Sequence, residues 1–185
     1  DDMVIPYTNK EKSLDFFIDA VFPSLEFNRY ESDYIISWTI LSTKNDSVDA
    51  INDYMIDRFH GEERIYYSFD EAIDDKNGFY PLEFLNSISV SGLPLHYLRL
   101  KVGCPIILLR NLDLTNWLCN GTRLICKSFQ QNVIDAEIVV GQHAGKMIFL
   151  PKLPLYPFDD DRFSFKLKRK QFLIHLGFAM TINKA

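Results

Sequence analysis

The chain has 185 residues, with 20 Lys+Arg against 25 Asp+Glu, and 47% of its residues are apolar. That composition excludes a disordered tail, a collagen-like repeat and a disulfide-stapled mini-protein, and the length allows one domain or one domain carrying a smaller insert. Residues 1–80 hold 18 acids and 7 bases, whereas residues 81–185 hold 7 acids and 13 bases; the basic half suits a polyanion partner, while the formal net charge of −5 argues against a free-standing, charge-driven nucleic-acid binder.

No apolar run approaches the roughly 20 residues of a membrane-spanning helix. The opening Asp1-Asp2-Met3 lacks the basic-then-apolar signature of a secretory signal. A soluble, intracellular protein without a membrane partner is expected. Cys104, Cys119 and Cys126 form no C-x-x-C pair, so reduced thiols are expected in place of disulfides or a zinc knuckle.

Lys12 to Phe22 sets Leu14, Phe17, Ile18, Val21 and Phe22 on one helical face, and Pro23 ends the run. Tyr34-Ile35-Ile36 and Trp38-Thr39-Ile40-Leu41 read as a nearly continuous buried strand, with Trp38 in the core. A second helix follows, capped by Asn45 or Ser47, with Val48, Ile51, Met55 and Ile56 as its apolar stripe. Arg64-Ile65-Tyr66-Tyr67 reads as the next strand, so that strand, helix and strand form a βαβ unit of a parallel sheet.

Beyond Asp70 the pattern changes to short strands separated by turns. Lys101–Leu112, Thr122–Phe129, Val133–Val140 and Lys146–Leu153 are the candidates, with a bend at Gly103-Cys104-Pro105 and a turn at Asn120-Gly121. Such a meander closes most easily into a small barrel. The tail from Phe165 returns to an apolar segment. The expected fold is α/β: a domain formed by residues 1–69 and 164–185, interrupted by a β-barrel over 70–163.

Catalytic signatures are absent. There is no G-x-x-x-x-G-K-S/T loop to cradle nucleotide phosphates and no G-x-S-x-G elbow. His60, His96, His143 and His175 lie far apart in sequence, so neither a metal site nor a catalytic residue is expected, and His96 reads as structural.

Three stretches carry a resemblance. Ile40-Leu41-Ser42-Thr43-Lys44-Asn45 with Ile51-Asn52-Asp53-Tyr54 resembles the strand–loop–helix that opens the second RecA-like domain of Pif-family (petite integration frequency) helicases, closest to their plant Helitron-transposon branch. Tyr80-Pro81-Leu82-Glu83-Phe84-Leu85, Leu108-Leu109-Arg110-Asn111-Leu112-Asp113 and Asn120-Gly121-Thr122-Arg123 resemble that family's inserted barrel. Phe165-Lys166-Leu167-Lys168-Arg169-Lys170 and Thr181-Ile182-Asn183-Lys184 resemble the run into helicase motif V. The match covers nearly the whole chain in order.

The resemblance implies part of an ATP-dependent 5′-to-3′ DNA helicase: a partial second RecA-like domain interrupted by a barrel of the Src-homology-3-like type. It implies a nuclear protein whose partners are single-stranded DNA, held weakly and salt-dependently, and the N-terminal helicase domain of the parent protein. ATP and magnesium are cofactors of the intact family member, and none is expected in this chain, which has no phosphate loop and should not hydrolyse ATP. The family continues Asn-Lys-Ser-Gln-Gly where this chain reads Asn183-Lys184-Ala185, and it usually has Pro and Arg where Leu173 and His175 stand here. Replacing Arg by His removes a permanent donor. An eroded transposon copy or a non-catalytic protein-interaction module is the alternative.

Candidate DNA contacts follow from position. Thr43, Lys44 and Asn45 lie on the loop at the C-terminal end of a strand, where small polar groups and helix-start amides suit a phosphate or simply cap the helix. Thr181, Asn183 and Lys184 share that logic. Thr122 and Arg123 beside the Asn-Gly turn are secondary candidates, and Lys166, Lys168, Arg169 and Lys170 form a basic run able to neutralise phosphates. Trp117 is the better candidate for an exposed aromatic.

Overall fold

The computed structural model describes residues 10–23, 32–75, 78–90, 92–115, 117–157 and 163–182. Helix α1 (Lys10–Val21) buries Ile18 and, just past its end, Phe22. The segment read as the first half of a long strand is instead a short helix, α2 (Ser32–Ser37), which buries Ile35, while only β1 (Ile40–Ser42) is extended. A contiguous apolar run of this length fits either state, and here helical packing prevails. Trp38, in the link between them, is 46% exposed and not in the core.

Helix α3 (Asn45–Arg58) buries Val48, Asn52, Met55 and Ile56. Its N-cap is Lys44, in extended conformation and with no side-chain cap hydrogen bond, so neither Asn45 nor Ser47 caps it. Arg58 near its C-terminus reaches Asp19 of α1 at 2.7 Å. The strand paired with β1 is not the next one but β12 (Ala179–Thr181), parallel, with Ile40 opposite Ala179 and Ser42 opposite Thr181. The expected βαβ unit is therefore corrected: β2 (Glu63–Tyr67) leaves this pair and runs antiparallel to β4 (Tyr97–Lys101). The crossover from β1 to its parallel neighbour spans most of the chain.

The intervening strands form a meander. β5 (Pro105–Leu108), β6 (Arg123–Phe129), β7 (Val133–Ile138) and β8 (Met147–Pro151) pair antiparallel in that order, and β11 (Ile174–Leu176) adds to the free side of β5. A second sheet holds β3 (Phe69–Ala72), β10 (Leu167–Gln171) and β9 (Leu153–Leu155). Lys152 carries β8 into β9, and Phe172-Leu173 carries β10 into β11, so both corners pass from one sheet to the other. Of the tail expected to rejoin the first unit, β10 and β11 pair with strands inside 70–163, and β12 alone returns to β1.

Cys119, Asn120, Gly121 and Thr122 form the expected turn. The Thr122 amide donates to the Cys119 carbonyl at 3.0 Å, and Gly121 takes φ 85°, which a side chain would disfavour. The main core joins α1, α3 and the five-stranded sheet, while Leu85 of helix α4 (Leu82–Ser87) helps build a smaller one with Leu93, Leu155, Phe165 and Leu167.

Candidate nucleic-acid interface

Because β1 and β12 are parallel and in register, their C-terminal ends open on the same side, and Thr43 and Thr181 emerge at one lip. Both line a cleft of about 600 Å³, with Asn45, Asp46 and Asp49 from the start of α3, Asn120 from the turn, and His175. Ligands of α/β sheets gather at this kind of edge. Thr43, Lys44 and Asn45 are exposed. Among the described residues the cleft lining includes no Lys or Arg, and Asp46 and Asp49 make its wall acidic. Asn183 and Lys184 fall outside the described residues.

One wall is fixed by a polar residue that the apolar periodicity did not select. Asn52 is buried, and its amide stands in for a strand partner. Its Oδ1 accepts from the Ala179 amide at 2.9 Å, and its Nδ2 donates to the carbonyls of Leu176 and Ala179, each at 3.2 Å. It thereby sutures α3 to the entry of β12. One turn away, Asp49 lies 3.0 Å from Nε2 of His175, the position where the family usually has Arg.

The other candidates lie elsewhere. The Thr122 hydroxyl accepts from the Cys119 amide and donates to the Trp117 carbonyl, both at 3.1 Å, so it braces the turn. Arg123 is largely buried, donates to the Trp38 carbonyl at 3.2 Å, and has its pKa drawn down by burial. These two line a separate hollow of about 700 Å³ with Leu41, Val140, Met180, Trp117 and His143. Trp117, the better candidate for exposure, is 58% exposed and holds φ 62° while its ring lies 5.4 Å from that of His143.

Arg169 is a correction. It is 0% exposed and cannot face a DNA backbone. Its Nε and Nη2 grip Asp70 at 2.9 and 2.6 Å, Nη1 donates to the carbonyls of Ile88 and Pro94, each at 3.0 Å, and Nη2 also donates to Leu85 at 3.1 Å. All five donors of the guanidinium are thus used inside the fold. Ser68 Oγ completes the hub by donating to Asp70 Oδ1 at 2.7 Å and lying 2.8 Å from Nδ1 of His96, which is structural as expected. Burial holds the His96 pKa below the usual imidazole value despite Asp70. The flanking Lys168 is paired with Glu71 at 3.0 Å, while Lys166 and Lys170 are exposed. A period-two reading of Leu167-Lys168-Arg169-Lys170-Gln171 contains the signal: Arg169 shares its face with Leu167, the inward one. Among the described residues there is no cluster of His, Cys, Asp or Glu able to hold a metal, and no helix long and apolar enough to cross a membrane.

Residues 83–129 match the family profile described as the DNA helicase Pif1 2B domain. No curated protein matches the chain significantly. Among solved structures, Pif1 helicase from Candida albicans superposes with TM-score 0.59 at 18% identity, over 96% of this chain and 42% of that one. A structure of two coordinating Pif1 helicases at forked double-stranded DNA gives 0.57 at 20% identity, over 96% and 34%. Bacteroides Pif1 in complex with ADP-AlF3 and single-stranded DNA gives 0.54 at 20% identity, over 96% and 37%. The mixed α/β fold with its several sheets is similar to part of each of these structures. The family match is thus confined to residues 83–129, while nearly the whole chain shares the fold of these structures and spans between a third and about two-fifths of their length.

Proposed function

We propose that this chain supplies the strand-holding half of a Pif1-type, ATP-dependent 5′-to-3′ DNA helicase. In this reading β1, α3 and β12 are part of the second RecA-like domain, and the antiparallel strands between them form its Src-homology-3-like barrel, the corners at Lys152 and Phe172-Leu173 being the bends a closing sheet needs. The observation that carries the reading is the parallel, in-register pairing of β1 and β12, which sets Thr43 and Thr181 on the lip of one cleft beside the start of α3. Hydroxyls and amides there suit a backbone phosphate.

The chain's own residues do not fit a nucleoside triphosphate, since no phosphate loop occurs in the sequence and, among the described residues, the cleft lining offers two carboxylates and no Lys or Arg. ATP and magnesium therefore belong to the N-terminal helicase domain of the parent protein, a nuclear one, and no hydrolytic step is assigned here. The same acidic wall keeps single-strand binding weak and makes it depend on salt.

Titration of labelled oligo-dT into the chain across a salt series tests this. Binding should weaken as salt rises, and Thr43→Val with Thr181→Val should weaken it further. Salt-insensitive affinity, or none, contradicts the proposal. The apolar hollow beside Trp117 favours a second reading, a protein-interaction module, which salt-insensitive protein association without DNA binding would establish.

A further inference from the structure

The described surface carries a second feature, on strands other than the cleft's. On the outward face of β10, Lys170 stands opposite Phe69 of β3 and Pro154 of β9. Phe69 is 66% exposed and Tyr67, just before it, 61%, the two flanking Ser68, whose hydroxyl bonds inward to Asp70. Tyr97, the cross-strand partner of Tyr67, is also exposed. Lys152, near the end of this row, is already engaged, with Nζ donating to the Tyr67 carbonyl at 2.9 Å and lying over the buried rings of Tyr66 and Phe172 at 5.3 and 5.4 Å, and burial together with the charge of Lys170 draws its pKa down. The acid one rung along, Glu71, is neutralised by Lys168.

Three exposed rings on neighbouring strand positions beside the exposed Lys170 constitute a candidate interaction surface, since neighbouring exposed apolar groups, unlike scattered ones, mark such sites. The chemistry is that of single-strand recognition: bases stack on aromatic faces while lysines meet the phosphates between them, without reading sequence. We propose that Tyr97 and Tyr67 of the β2–β4 pair and Phe69 of the adjoining β3, with Lys170, form a stacking track for single-stranded DNA where the two sheets meet, separate from the Thr43–Thr181 lip. The proposal rests on DNA being the polymer this chain holds, and it adds where the bases go.

The test uses the full chain with oligo-dT containing 5-iododeoxyuridine, photocrosslinked and mapped by mass spectrometry, alongside anisotropy titrations. Crosslinks are expected on peptides containing Tyr67, Phe69 or Tyr97. Phe69→Ala should weaken oligo-dT binding about five- to tenfold with the salt slope unchanged, because stacking releases no counterions, whereas Lys170→Ala should reduce the slope by about one. Both side chains are exposed, so circular dichroism should match the parent chain. Parent-like affinity in both variants, with crosslinks confined to Thr43 or Thr181 peptides, overturns the track and leaves the lip intact. Equal affinity for duplex DNA of the same length overturns the track as well, and absence of binding by the parent chain overturns both.

Discussion

Replacing Arg169 tests the most consequential reassignment in the molecule, from surface cation to internal strut. The side chain is fully buried and makes five hydrogen bonds, two of them to Asp70 and three to carbonyls of Leu85, Ile88 and Pro94. Arg169→Met leaves the Asp70 carboxylate without its counter-charge, and breaking one side of a buried pair costs about 3–5 kcal/mol. The three abandoned carbonyls add about 1 kcal/mol each where water cannot reach them. A loss of about 5 kcal/mol or more is a large part of the roughly 5–15 kcal/mol available to a domain. Urea denaturation followed by circular dichroism measures it, with Arg169→Lys as a milder variant that keeps the charge but cannot make the five-bond pattern. The double variant Asp70→Leu, Arg169→Met should lose less than the sum of the singles, because no charge is then stranded. If Arg169→Met costs less than about 1 kcal/mol while selectively weakening oligo-dT binding, the internal role is refuted and the surface one restored.

Asn52→Ala should cost about 1–3 kcal/mol in the same assay, since it strands the Ala179 amide and two carbonyls at the entry of β12; an unchanged midpoint would contradict the suture. Phe178→Ala should cost about 3–5 kcal/mol, because its ring packs against Phe22 at 6.3 Å and Phe59 at 5.6 Å and so joins the ends of α1 and α3. Stability should also fall as pH drops through about 6.5, the unfolded imidazole value, toward the depressed value of folded His96. In that window the unfolded chain binds the proton first, so acid favours unfolding. His96→Gln should flatten this part of the curve, and an unaltered profile would exclude His96 as its source.

Amphipathic spacing was enough to place α1 and most of α3, because 3.6-residue periodicity is local and survives any tertiary arrangement. The strands from β6 to β8 and the Asn120-Gly121 turn were equally legible, since turn residues and hydrophobic runs sit close together in sequence. The Pif-family resemblance rested on motif order over nearly the whole chain, which is also a property of sequence alone. What depended on tertiary structure was pairing and facing. Whether β1 would join β2 or β12 could not be read from adjacency, because parallel pairing is decided by which distant strand buries the same core under α3. Tyr34-Ile35-Ile36 became helix for the same reason, its short apolar run being neutral between the two states. Arg169 and Asn52 show the limit most clearly. A polar side chain on an inward face is recognised only when its partners are known, and Asp70, Leu85, Ile88, Pro94 and Ala179 are brought to it by folding rather than by proximity along the chain.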